Sequence, residues 1–180
     1  PSLAGIAPLA EALAIAGASR KGALSVTVTE GLEGLDVAVI GGKPLDGPLR
    51  IVLAGLCEAH RLARLTWDDE LIGMRVPPAQ AIGNASVVPP PGAFLQATAH
   101  GQDTLTSLVQ DIVGDAKSVA DLFAGCGTFS LPLAEKAEVL AVEGASEMIA
   151  ALDAGWRQAQ GLKRVTTEVR DLYRRPLLPD

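Results

Sequence analysis

Two glycines, Gly125 and Gly127, stand in the run Asp121-Leu122-Phe123-Ala124-Gly125-Cys126-Gly127-Thr128-Phe129-Ser130, directly after a short apolar stretch. A glycine turn between a buried strand and a helix lets the backbone approach a ligand closely and aims free N–H groups at it. Glu143 closes the next apolar stretch, Val139-Leu140-Ala141-Val142-Glu143, where a carboxylate can accept hydrogen bonds from both hydroxyls of a ribose. Asp171 follows a third stretch, Val165–Val169, where an acid could receive an adenine amino group; taken singly it reads as a surface acid. Asp121 lies inside the strand ahead of the glycines. It must be paired with a ligand amine, a loop N–H or water, and fixing the loop is an equally good reading.

Together these residues read as a nucleoside site. A nicotinamide-binding turn reads more simply as Gly-x-Gly-x-x-Gly, with no acid ahead of it, whereas here Asp121 is present and Ser130 holds the third glycine position. S-adenosylmethionine is therefore preferred over NAD as the cofactor.

Positioning these groups requires parallel strands joined by helices. The rhythm after residue 100 supplies that: a helix over about Asp103–Val113, a strand at Val119–Phe123, a helix near Phe129–Lys136, a strand at Val139–Val142, a helix over Ser146–Gln158 and a strand at Val165–Val169. Upstream, Leu3, Ile6, Leu9 and Leu13 mark a helix ended by Gly17, and Ala23–Thr29 with Leu35–Ile40 reads as a β-hairpin. Asp46 and Pro48 cap a second helix carrying Leu49, Val52, Leu53, Leu56 and His60, and Ala63–Trp67 with Leu71–Val76 reads as strand, acidic turn, strand. The prolines of Val87-Val88-Pro89-Pro90-Pro91-Gly92 suit neither helix nor central strand. A boundary there divides a small α+β domain, 1–90, from an α/β domain, 91–180.

Composition agrees with that class. Of 180 residues 48 % are hydrophobic and only 3 % aromatic, which suits short strands and helices packed through small branched side chains rather than an aromatic-rich sandwich. The formal net charge of −6 argues against nucleic-acid binding by overall attraction, although Lys163, Arg164, Arg170, Arg174 and Arg175 could touch phosphates if they share a face. Cys57 and Cys126 are too few for a disulfide framework or a cysteine metal site, and His60 and His100 have no metal spacing, so no metal is assigned. No apolar run suits a membrane span, no leader pattern opens the chain, and a cytoplasmic setting follows.

The stretch Pro91-Gly92-Ala93-Phe94-Leu95-Gln96, followed by the Asp121–Leu131 run, resembles the bacterial 5-methyluridine RNA methyltransferases. The resemblance is clearest over Pro91–Asp180, and Leu3–Pro90 matches the family's central domain loosely. It implies a partial Rossmann-like S-adenosylmethionine-dependent methyltransferase domain, acting on uridine C5 in rRNA or tRNA. It also implies cofactor contacts at Gln96, Phe123, Thr128, Glu143 and Asp171, beside the loop residues Asp121, Gly125 and Gly127. Thr128 replaces the Asn common there, keeping a hydrogen-bonding group but losing the amide.

A sheet of this class needs about seven strands, and the stretch after Asp121 has room for roughly three βα units at about twenty residues each. The family's Asp-Pro-Pro-Arg-like motif, nucleophilic Cys and general-base Glu have no counterparts here. Cys126 sits within the cofactor turn and Cys57 on an apolar helix face, so no catalytic residue is assigned. The expectation is a fragment holding the cofactor half, inactive alone, with an open sheet edge that favours pairing with another chain. Alternatives are a noncatalytic adenosyl- or RNA-binding module and an NAD-dependent oxidoreductase.

Overall fold

The computed structural model describes residues 5–19 and 22–177, so Leu3, expected to begin the first helix, lies outside the described residues. The chain forms two compact units, Pro1–Ala79 and Gln80–Asp180.

In the first unit, α1 (Ile6–Gly17) precedes the antiparallel pair β1 (Ser25–Gly31) and β2 (Gly34–Ile40). Helix α2 (Gly47–Ala59) then crosses to β3 (Arg64–Trp67), which pairs parallel to β2, and β4 (Glu70–Met74) returns antiparallel. Asp46 caps α2 as its type and the following Pro48 predict, its carboxylate accepting from Leu49 N at 2.8 Å. Leu49, Leu53 and Cys57, one helical face, meet Val37, Val39, Leu65 and Trp67 from the sheet in one buried cluster. Val52, expected on that face, is instead about half exposed. The β2–β3 register sets Asp36 opposite Arg64, and the pair forms a buried bidentate bridge with Nε–Oδ1 2.8 Å and Nη2–Oδ2 2.6 Å. Trp67 lies against Gly17 and Gly42 so closely that a Cβ at Gly42 would fall 2.0 Å from the ring; its Nε1 donates to Lys43 O at 3.1 Å.

The second unit begins ahead of the proline run rather than within it. Residues 80–87 form a hairpin, β5 (Gln80–Ile82) and β6 (Ala85–Val87), absent from the sequence reading. Its Ile82, Ala85 and Val87 are buried with Cys126 and Leu131, and Val87 seats on Gly155, where a Cβ would come within 2.7 Å of its side chain. With that packing the compact units divide at 79/80, whereas the sequence reading places its domain boundary at 90/91. Helix α3 (Ala99–Val113), capped by Thr98, leads to β7 (Ser118–Leu122), α4 (Ser130–Leu133), β8 (Glu138–Glu143), α5 (Ser146–Gln158) and β9 (Val165–Val169). The three strands run parallel in the order β7-β8-β9, as strand alternating with helix implies. Helix α4 is shorter than the expected Phe129–Lys136 because the chain tightens beyond Leu133 into three-residue turns, Glu135 N to Pro132 O and Lys136 N to Leu133 O. Val139, Ala141, Leu152 and Val165 are buried between the sheet and its helices. Trp156 packs at the edge of that cluster and donates to Lys163 O at 2.9 Å. No helix among the described residues is long and apolar enough to cross a membrane.

Candidate cofactor site

In an open parallel sheet the strand carboxyl ends gather the loops that can hold a ligand. Asp121, Phe123, Gly125, Gly127 and Thr128 lie at or just beyond the end of β7, Glu143 ends β8, and Asp171 follows β9. The turn is tied to the sheet by Ala124 N, which donates to Val142 O at 3.1 Å, and closes on itself through Gly127 N to Ala124 O at 3.0 Å. Gly125 (φ +56°) and Gly127 (φ +100°) take left-handed backbone, and a Cβ on Gly127 would lie 2.9 Å from both Leu131 and Leu152. Glycine is needed at 127 on both counts.

Glu143 organises this end of the sheet. Its Oε2 accepts from Gly125 N at 3.0 Å, and its Oε1 accepts from Gly144 N at 2.7 Å and Ala145 N at 3.1 Å. A carboxylate offers about four lone-pair positions. Three are thus filled by the loops, and one on Oε2 stays open to a further donor such as a hydroxyl; a second hydroxyl requires one loop N–H to let go. Asp121 is paired within the loop: Ser130, fully buried at the third glycine position, donates its hydroxyl to Oδ2 at 2.6 Å. Burial raises the Asp121 pKa most, the Ser130 hydrogen bonds oppose that, and the nearby Glu143 charge adds to it.

Asp171 accepts from Tyr173 N and Arg174 N, both 3.1 Å, and so caps the turn after β9 while remaining exposed. Phe123 has φ +62°, uncommon for an aromatic residue, and its ring meets Tyr173 with centroids 5.4 Å apart. Sequence reasoning passed over Tyr173; an aromatic just beyond the Asp171 position is the signal that could have found it. Thr128 is half-buried in the turn. Gln96 is half-buried after Leu95, which packs on the cluster containing Cys126 and Leu131 beneath the turn. Cys126 is 1 % exposed and burial pushes its thiol pKa up, as it does for Cys57, so both are held in the unreactive thiol form. Of the C-terminal basic residues, Arg170 binds Glu168 at 2.6 Å and Arg174 lies 3.5 Å from Asp171.

No family model matches the sequence. An uncharacterized RNA methyltransferase of Mesorhizobium japonicum is 49 % identical over 154 residues, covering 86 % of this chain and 37 % of its own. The 23S rRNA (uracil(1939)-C(5))-methyltransferase RlmD of Pseudomonas aeruginosa is 33 % identical over 106 residues, covering 54 % of this chain and 23 % of its own. Over most of its length the chain is similar to RNA methyltransferases. In structure the chain is similar to the tRNA (uracil-54, C5)-methyltransferase of Pyrococcus abyssi, solved with S-adenosyl-L-homocysteine: TM-score 0.62 at 15 % identity over 79 % of this chain and 38 % of that one. The shared fold is the Rossmann-like methyltransferase fold. The chain spans 37 % of the length of the first curated relatives it matches.

Proposed function

We propose that this chain is the cofactor-holding part of an S-adenosylmethionine-dependent RNA methyltransferase that acts on C5 of uridine in rRNA or tRNA, in the cytoplasm. The observation that carries the reading is the Glu143 carboxylate, which joins the ends of β7 and β8 through Gly125 N and keeps an acceptor position for a hydroxyl donor. The residues fit an adenosyl group. Glu143 would take the ribose, Asp171 the adenine amino group, Phe123 a ring face, and Gly125, Gly127 and Thr128 the rest of the cofactor beside the turn, with Gln96 and Asp121 completing the site. The bound cofactor supplies an electrophilic methyl group on a sulfonium.

The chain's own residues bind and orient. Asp121 and Ser130 hold the turn in shape, and the buried Cys126 fills it from below, so the chain is read as contributing no nucleophile. For the chain by itself, the outer edge of β7 is read as a pairing surface for a second copy.

Calorimetry on the intact protein tests the reading: S-adenosylhomocysteine should bind, NAD should not, and Glu143→Ala should abolish the signal. Uptake of NAD in preference to S-adenosylhomocysteine would replace this reading with the oxidoreductase one.

A further inference from the structure

Strand β8 lies between β7 and β9. Neighbouring strands are about 4.8 Å apart, so the ends of β7 and β9 are separated by roughly twice that. Phe123 directly follows β7 and Tyr173 sits in the turn after β9, yet their ring centroids are 5.4 Å apart with planes tilted by 51°. The two side chains therefore reach toward each other across the end of β8, the strand that Glu143 terminates. Neither ring serves the core: Phe123 is 56 % and Tyr173 90 % exposed. Both are held outward by specific backbone. Phe123 takes a left-handed conformation, which is strained for a bulky residue and persists where surrounding structure imposes it. Tyr173 is placed by a turn whose N–H groups are gathered by Asp171 Oδ1. Strained backbone such as that of Phe123 clusters at ligand sites, and in a parallel sheet those sites lie at the carboxyl edge, where both rings stand exposed.

From this geometry we infer that Tyr173 is a cofactor-binding residue, its ring forming with Phe123 an aromatic cover for the adenine of the cofactor. The inference rests on the proposed adenosyl site. A nucleoside whose ribose hydroxyl takes the open position on Glu143 must place its base within one ring's reach of that carboxylate, and toward β9 that space is bounded by Asp171 and Tyr173. Stacking on an exposed aromatic face accepts a purine without demanding new polar partners.

The test is the affinity of the intact protein for S-adenosylhomocysteine, measured by calorimetry, for the unsubstituted protein, Tyr173→Phe and Tyr173→Ala. Tyr173→Phe should bind as the parent does, and Tyr173→Ala about tenfold more weakly, the scale of one lost base–aromatic stack. Unchanged melting temperatures of both variants, expected for so exposed a side chain, assign the loss to the site. If the parent binds S-adenosylhomocysteine and Tyr173→Ala binds it equally well, the role of Tyr173 is refuted while the adenosyl site stands. Weakened binding of a uridine-containing RNA with unchanged binding of S-adenosylhomocysteine would assign Tyr173 to the RNA instead and overturn the inference. If the parent takes no S-adenosylhomocysteine, the adenosyl site and the role of Tyr173 fall together.

Discussion

Asp121 shows how a single half-buried acid can serve its loop and still weigh on stability. Burial and the Glu143 charge set its folded-state pKa above the ordinary value of 3.8, so the folded protein holds this proton more tightly than the unfolded chain does. The contribution is fully present below about pH 4 and is lost as pH rises through the folded-state pKa. Asp121→Asn keeps an oxygen for the Ser130 hydroxyl and removes the charge. Urea titrations from pH 3 to 7 should therefore show the parent losing stability relative to the variant as pH rises, and a difference constant with pH would contradict this account. At this scale the sequence was informative about where an acid or glycine stands and silent about its partners. The spacing of Glu143 after the glycine turn placed it at a strand end. That three loop N–H groups already occupy all but one of its acceptor positions depends on how the turns close, which spacing does not encode. Tyr173 was passed over because its pairing with Phe123 arises from two turns folding toward each other across a strand.

Among elements, β9 and α5 match their expected bounds, since β-branched alternation and a long amphipathic period are strong local signals. The β5–β6 hairpin was not legible: three-residue strands carry no measurable period, and only Gly83-Asn84, with Gly83 at φ +54°, hints at the turn. The element with the most visible consequence is β7. It pairs with β8 on one side only, and Ser118, Ala120 and Leu122 along it are exposed. Beside it in sequence, α3 sends Val109 and Val113 to the core but leaves Leu105, Leu108 and Ile112, three and four residues apart, facing outward. An apolar strand edge without Pro or Lys to blunt it is prone to strand addition. The 180-residue chain should therefore sediment as an associating species at rising concentration, and Ala120→Lys should shift it toward monomer. A parent that stays monomeric throughout would remove β7 as a pairing surface.

At the scale of the molecule, each compact unit holds one of the two tryptophans: Trp67 in the core of the first, Trp156 beside the sheet of the second. Single-tryptophan variants, Trp156→Phe and Trp67→Phe, should thus report the two units separately. Gly42→Ala, which drives a methyl into the Trp67 ring, should lower the stability of the transition seen by Trp67 by about 1–3 kcal/mol and leave that seen by Trp156 in place. If both transitions fall together, the units unfold as one. The change of rhythm along the chain is what suggests two units in the sequence. The prolines that look like a linker follow a hairpin that packs into the second core through Val87 and Gly155, a contact no local pattern encodes. The three positions already taken on Glu143 also have a thermal meaning. An incoming ribose that displaces a loop N–H trades one hydrogen bond for another, and the exchange by itself releases little heat. On the proposed function, the pull on the cofactor then comes chiefly from the water its adenosine leaves behind. Its calorimetric mark is a negative heat-capacity change rather than a large enthalpy.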